Sequence, residues 1–286
     1  MKVQFNNKTI LITGASSGMG KELARKVAGE AKNMILVARR EHELEELAKE
    51  LKSEFSDLSV LNLPCDLADT NAVKTLVNKV MFEAGQVDIL INAAGNGQTS
   101  FLENAPFDEI VRIVQLNVLG LTQLCHAFLP AMLERGSGAI LNFSSYFGLK
   151  TLPGYTAYAG TKHYVTGFTE TLRAEVAHTD IVVSAVYPGP VKSAFWNIEN
   201  SDKFSPPSFL FISIEQCVRE TITGFRKGRA RIIPSIRMKL FLLFLALSPA
   251  PIERMVNAGM ARMMRGKNTA SQLNSEIATQ DIKENY

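Results

Sequence analysis

Thr13-Gly14-Ala15-Ser16-Ser17-Gly18-Met19-Gly20 is the stretch that decides how this chain is read. It follows the apolar run Thr9-Ile10-Leu11-Ile12 and opens a helical pattern over Lys21–Glu30. A strand, a glycine turn and a helix start in immediate succession form a site for a pyrophosphate, because the first N–H groups of a helix have no partner inside it. Glycine lets those groups come close, since no Cβ stands between backbone and ligand. Ser16 and Ser17 add hydroxyl donors, and Met19 stands between the last two glycines.

Outward from this junction the chain alternates. Apolar runs predict buried strands at Thr9–Thr13, Asn33–Ala38, Ser59–Pro64, Asp88–Ala93, Ala139–Ser144 and Ile181–Tyr187, with a shorter one at Ala230–Pro234. Helical patterns lie between them, at Glu41–Lys52, Asn71–Glu83, Phe107–Leu133 and Tyr155–Ala177. In the first of these, Leu44, Leu47, Ala48 and Leu51 form one apolar stripe with Glu and Lys opposite. Strands and helices in this rhythm imply parallel crossovers, hence an α/β fold: a doubly wound, Rossmann-type parallel sheet flanked by helices. The expected organisation is one dinucleotide-binding domain over 1–235, then a helical extension with a polar tail over 236–286.

Composition narrows the function. The 286 residues carry 46% hydrophobic side chains and a net charge of +3, enough for a core and too little charge to imply a nucleic-acid partner. Cys65, Cys125 and Cys217 form no pair at metal spacing, and four histidines form no cluster, so no metal is expected. The cysteines read as buried apolar residues in a reducing compartment. Met1–Lys8 holds no apolar run, so no secretory signal is expected and the chain is placed in the cytoplasm. The most apolar segment, Leu240–Leu247, is too short to span a bilayer.

A second group of residues answers the glycine turn. Tyr158 and Lys162 are four apart, on one face of a predicted helix. A phenol of reference pKa about 10 needs a nearby cation to act as acid or base near neutrality. Ser145, at a strand end, can donate to an oxygen on which negative charge develops. Ser144 competes for that role, and the spacing to Tyr158 favours Ser145. Asn117 lies upstream in a helix.

With Thr13-Gly14-x3-Gly18-x-Gly20, Asn92-Ala93-Ala94-Gly95, Asn117, Ser145, Tyr158-x3-Lys162 and Pro188-Gly189 in this order, the chain resembles the short-chain dehydrogenase/reductase family over residues 5–235. Ala93 departs from the second Asn frequent there. The resemblance implies that Tyr158 is the acid/base, that Lys162 also holds the nicotinamide ribose, and that Asn117 holds a water in a proton relay. It implies that Asp66, followed by Leu67, meets the adenine, that Asn92 and Gly95 line the adenosine side, and that Pro188, Val191 and Ser193 hold the carboxamide.

Cofactor choice is read at the second strand. NAD sites carry an acidic residue about 20 residues past the glycines. Here Ala38 is followed by Arg39 and Arg40, and Arg39 can pair with a 2′-phosphate, so NADP(H) is expected. The substrate is expected to be an apolar carbonyl or secondary alcohol, lipid- or steroid-like, because Ser193–Phe211 holds Phe195, Trp196, Phe204, Phe209 and Phe211 where the family carries its substrate lid. A homo-oligomer is expected. The rival class is a non-catalytic NADP-binding sensor or scaffold of the same fold.

The extension beyond residue 235 leaves two readings open. Arg237 and Lys239 lead into Leu240-Phe241-Leu242-Leu243-Phe244, and a basic, apolar helix can lie on an anionic membrane, giving peripheral contact through 238–252. Alternatively it packs on the cleft or a second subunit. Packing within the protein is the expectation, with Leu243 on the buried face.

Overall fold

In the computed structural model, which describes residues 2–97, 99–192, 206–246, 251–252 and 254–265, the sheet has seven parallel strands. They are β1 (Thr9–Thr13), β2 (Asn33–Ala38), β3 (Ser59–Pro64), β4 (Ile89–Asn92), β5 (Ala139–Phe143), β6 (Val182–Val186) and β7 (Arg231–Ile232), in the order β3-β2-β1-β4-β5-β6-β7. The expected strands are present, with β4 to β7 one or two residues shorter at their ends.

The five strands between the edges β3 and β7 are buried on both sides, which is why they read as apolar runs. Side chains alternate across the sheet. Ile10 and Ile12, with Met34 and Leu36, face a layer that includes Leu23 and Val27 of helix α1 (Gly18–Val27). That layer also holds Leu44 and Leu51 of α2 (Glu41–Glu54) and Val218 and Phe225 of α7 (Ile214–Arg226). Leu11, Ile35, Val37 and Leu90 face the opposite layer. It is built from α3 (Thr70–Ala84), α5 (Leu121–Glu134) and α6 (Thr156–Glu175).

The helix expected over Phe107–Leu133 is not regular. It comprises α4 (Phe107–Val114), a π-helical stretch Gln115–Gly120, and α5. Two causes are visible. Gly120 packs so close to Leu67 that a Cβ there would stand 2.4 Å from the Leu67 carbonyl oxygen, and Asn117 turns inward to bond Asn96 and Thr161. Phe107–Glu134 is also long and apolar enough to cross a membrane, with a mean hydropathy of 1.4. Leu240–Leu247 is therefore not the only strongly apolar segment. Leu124, Cys125, Phe128 and Met132 of α5 are buried in the core of the sheet.

Strand order reverses between β1 and β4, and ligands of open α/β sheets bind at such a point, outside the carboxyl ends of the strands. The glycine turn leaves β1 there and Ala93-Ala94-Gly95 leaves β4. Thr13 Oγ1 accepts from the Ala94 N–H at 3.0 Å and joins the two. Gly14 has φ +70°, and a Cβ on it would stand 2.9 Å from Ala94 Cα, so this position excludes any side chain.

After β7 the chain forms α8 (Ile236–Ala246), and residues 254–265 are helical. One side of α8 packs inward: Met238 and Leu242 are buried with Leu210, Tyr146 and Leu149. Leu243, expected on the buried face, is 58% exposed. Leu242 precedes it by one residue, about 100° round the helix, and takes the inward position.

Candidate active site

A continuous cleft of about 500 Å³ runs from the glycine turn to the end of β5. It is lined at one end by Gly14, Ser16, Ser17, Gly18, Met19 and Gly20, in the middle by Arg39, Arg40, Asp66, Leu67 and Gly95, and at the other end by Ser145, Tyr158, Pro188 and Val191. Residues nearly 150 positions apart in sequence thus share one wall because β1, β4 and β5 are neighbours in the sheet.

At the glycine end, Gly18 opens α1 with φ +55°, and nothing lies within 4 Å of where its Cβ would be. Arg40 donates from Nη2 to Ser16 Oγ at 3.1 Å, which fixes its guanidinium beside the turn. Asp66 accepts from Arg112 at 2.7 Å and from the Ala68 N–H at 3.1 Å. Burial pushes the Asp66 carboxyl upward, but these bonds and the charges of Arg112 and Arg39 outweigh it and hold the group below its ordinary value.

At the other end, α6 carries Tyr158 and Lys162 on its buried face. Ser145 hydrogen-bonds Tyr158 and also accepts from the Phe147 N–H at 3.3 Å. Ser144 also lines the cleft, but its hydroxyl is engaged with α6. Its hydroxyl donates to the Lys162 carbonyl at 2.9 Å and lies 3.0 Å from Thr166 Oγ1. Of the two serines, Ser145 is the one bonded to Tyr158.

Lys162 Nζ donates to the Phe143 carbonyl at 2.9 Å and lies 5.7 Å from the centroid of the Tyr158 ring. The expectation that Lys162 lowers the Tyr158 pKa does not describe this arrangement. Burial dominates and pushes the phenol up to about 12, with Ser145 acting downward and Tyr155 upward. Burial also brings the Lys162 ammonium down to about 8. Tyr158 is therefore a neutral phenol near neutrality.

Asn117 and Lys162 converge on Gly95. A Cβ at Gly95 would stand 3.3 Å from Asn117 Oδ1 and 3.4 Å from Lys162 Nζ. Asn92 is corrected: its side chain does not line the cleft. It points into the protein, donating to Asn142 Oδ1 at 2.9 Å and to Cys125 Sγ at 3.4 Å. The pleat sends the last side chain of β4 away from the mouth. Ser193 lies outside the described residues, as do Phe195, Trp196 and Phe204.

The sequence reading omitted the aromatic wall of the cleft. Tyr146 and Phe147 line it, with ring centroids 4.0 Å apart, and Phe147 stacks on Tyr155 at 4.4 Å and meets Tyr158 edge-on at 5.6 Å. The signal available was Ser145-Tyr146-Phe147, aromatics directly after a strand end. Among the described residues no group of three His, Cys, Asp or Glu side chains could hold a metal.

Residues 8–203 match the family model for the short chain dehydrogenases. The chain belongs to the short-chain dehydrogenase/reductase family. Human dehydrogenase/reductase SDR family member 7 is 35% identical over 201 residues, 69% of this chain, and the match spans 59% of the human protein's length. The NADP-dependent 3-hydroxy acid dehydrogenase of Schizosaccharomyces pombe is 38% identical over 194 residues, 67% of this chain and 74% of its own. Among solved structures, a short-chain dehydrogenase from Sphingobium yanoikuyae in complex with NADPH superposes with a TM-score of 0.74 at 29% identity, covering 84% of this chain and 93% of its own. Membership fixes the Rossmann-type, nucleotide-binding fold.

Proposed function

We propose that this chain is an NADP(H)-dependent oxidoreductase that interconverts an apolar ketone and the matching secondary alcohol, with Tyr158 moving the proton. The observation that carries this reading is the continuity of one cleft between the glycine turn and the Ser145–Tyr158 pair. A dinucleotide fits the donors present. Gly18 leaves its backbone open to the cleft, Ser16 and Ser17 line it, and the basic pair Arg39 and Arg40 follows β2 where an NAD site would carry an acid. Asp66 is engaged by Arg112. The S. pombe relative is NADP-dependent, and the S. yanoikuyae protein is in complex with NADPH.

When bound, the dinucleotide supplies or takes up the hydride at the reacting carbon. The chain's own residues handle the oxygen. Ser145 Oγ donates to the carbonyl oxygen as negative charge grows there, a contact worth about 10²–10³ in rate where it has been removed from other enzymes. Tyr158 delivers its phenolic proton to that oxygen, and burial keeps that proton in place until it is needed. Lys162, whose ammonium pKa burial brings down to about 8, stands 5.7 Å from the Tyr158 ring and is the group that replaces the proton. In the reverse direction Tyr158 must first lose its phenolic proton before it takes up that of the alcohol, so the raised phenol pKa favours carbonyl reduction.

The aromatic wall of Tyr146 and Phe147 offers the substrate end an apolar surface. Purified protein with NADPH and a panel of aromatic, long-chain and steroid ketones, followed by loss of NADPH absorbance, tests the proposal. Turnover of one of these classes is expected. Tight NADPH binding with no turnover across the panel in either direction would favour the non-catalytic sensor instead.

A further inference from the structure

Helix α8 is apolar around its whole circumference apart from Arg237 and Lys239, and such a helix is either enclosed on all sides or meets lipid. Among the described residues, the protein encloses only one side of it. Met238 and Leu242 are buried, and a Cβ at Gly189 would stand 2.3 Å from Met238 Cε, so this face closes on the wall of the cleft. On the other side Ile236, Leu240, Leu243 and Phe244 are 63%, 60%, 58% and 68% exposed. At about 100° per residue, Ile236, Leu240 and Leu243 fall within one narrow sector with Phe244 at its edge. Lys239 lies on one side of that sector and Arg237 on the other.

Cations predominate on this segment, with Arg265 paired to Glu103 and Lys239 beside Glu220. Residues 236–265 hold Arg237, Lys239, Arg254, Arg262 and Arg265 against a single acid, Glu253. The helical residues 254–265 repeat the pattern, with Met255 70% and Val256 50% exposed and Arg254 and Arg262 exposed among them. Both helices are tied to consecutive residues of the loop beyond β5. Lys150 Nζ donates to the Leu245 carbonyl at 3.3 Å, and Asn257 Nδ2 donates to Thr151 Oγ1 at 3.4 Å.

We propose that the outer face of α8 is a docking surface for an anionic lipid bilayer, which holds the Tyr158 end of the cleft against the membrane. An apolar strip between two cations suits a helix lying in the headgroup plane, with its apolar residues in the acyl boundary and its cations on anionic headgroups. A second copy of this chain suits it less, because a two-fold contact sets a surface against itself and would face like charge with like charge. The proposal does not depend on which reaction the cleft performs.

Flotation of the full chain with phosphatidylcholine vesicles, with and without phosphatidylserine, tests it. Binding is expected on the phosphatidylserine vesicles and is expected to weaken as salt rises. Leu240→Glu/Leu243→Glu should abolish flotation while melting temperature and solution mass stay unchanged. Arg237→Gln/Lys239→Gln should weaken binding by roughly 25-fold, about fivefold for each cation removed. Three results overturn the proposal. The unmodified chain may stay with the protein-only fraction on both vesicles. Both double variants may float like the unmodified chain. Or the chain may form a dimer that Leu240→Glu/Leu243→Glu splits, with no flotation at any stage. Should the leucine variant fail to fold, the arginine–lysine variant decides: unchanged flotation sinks the idea.

Discussion

Asn117 and Asn96 hold each other by two hydrogen bonds. The Asn96 N–H donates to Asn117 Oδ1 at 3.0 Å, and Asn117 Nδ2 donates back to the Asn96 carbonyl at 2.9 Å. The same Nδ2 reaches Thr161 Oγ1 at 3.1 Å, next to Lys162. One side chain in the π-helical turn therefore joins the loop after β4 to the helix that carries Tyr158. Asn117→Ala leaves the Asn96 groups unpaired. It is expected to cost about 2–3 kcal/mol of stability and to lower kcat. Asn117→Asp keeps the acceptor, loses the donor and should fall between. Thermal melts and steady-state rates on both variants check the order. A full-rate, fully stable Asn117→Ala would remove this residue from the account.

Lys162 is a site of stored instability. Burial lowers its pKa from 10.5 to about 8, so the folded protein binds this proton less tightly than the unfolded chain does. The stability it contributes is full above pH 10.5 and is lost as pH falls towards 8. Lys162→Met without cofactor is therefore expected to gain stability relative to the parent as pH falls from above 10.5 towards 8, and to be inactive. Melting curves in which the difference between the two proteins does not change with pH over this range would contradict it.

NADPH should bind at least ~10-fold more tightly than NADH, from a charge-assisted contact worth roughly 1.5–3 kcal/mol. Arg39→Asp is expected to reverse the preference. Arg40→Ala, which also releases Ser16, should weaken both cofactors and NADPH more. Fluorescence titrations of the two cofactors measure this. Equal affinities in the unmodified chain would refute the assignment of the arginines.

Gly20 has no room for a side chain: a Cβ would stand 2.3 Å from the Gly14 carbonyl oxygen. Gly20→Ala must push the first turn of α1 off the glycine loop. It is expected to lose dinucleotide binding and to cost about 1–3 kcal/mol of stability. Isothermal titration and a melt on the same sample check both. Retained binding would mean that the turn adapts without consequence.

The fold was legible because the five inner strands are buried on both faces, so each reads as an apolar run between helical stripes. Tyr158 and Lys162 were legible for a local reason: four residues on a helix share a face. What was not legible depends on distant partners. Leu116, Val118 and Leu119 read as ordinary helix, and the π turn arises from the approach of Gly120 to Leu67 and the Asn117–Asn96 pair. The direction of Asn92 depends on Asn142 and Cys125, far along the chain. Tyr146 enters the cleft wall because Met238 and Leu242, nearly a hundred residues later, pack against it. The effect of Lys162 on Tyr158 was misjudged because spacing reveals proximity and not burial, and burial governs both groups.

The central claim is that Tyr158 transfers the proton. Tyr158→Phe keeps the ring against Phe147 and removes only the hydroxyl. Turnover of a ketone that the unmodified chain reduces should be measured in this variant, with NADPH affinity determined on the same preparation. The account expects kcat to fall by at least about 10²-fold, with NADPH affinity within a few-fold of the parent. Near-normal turnover in Tyr158→Phe would contradict it.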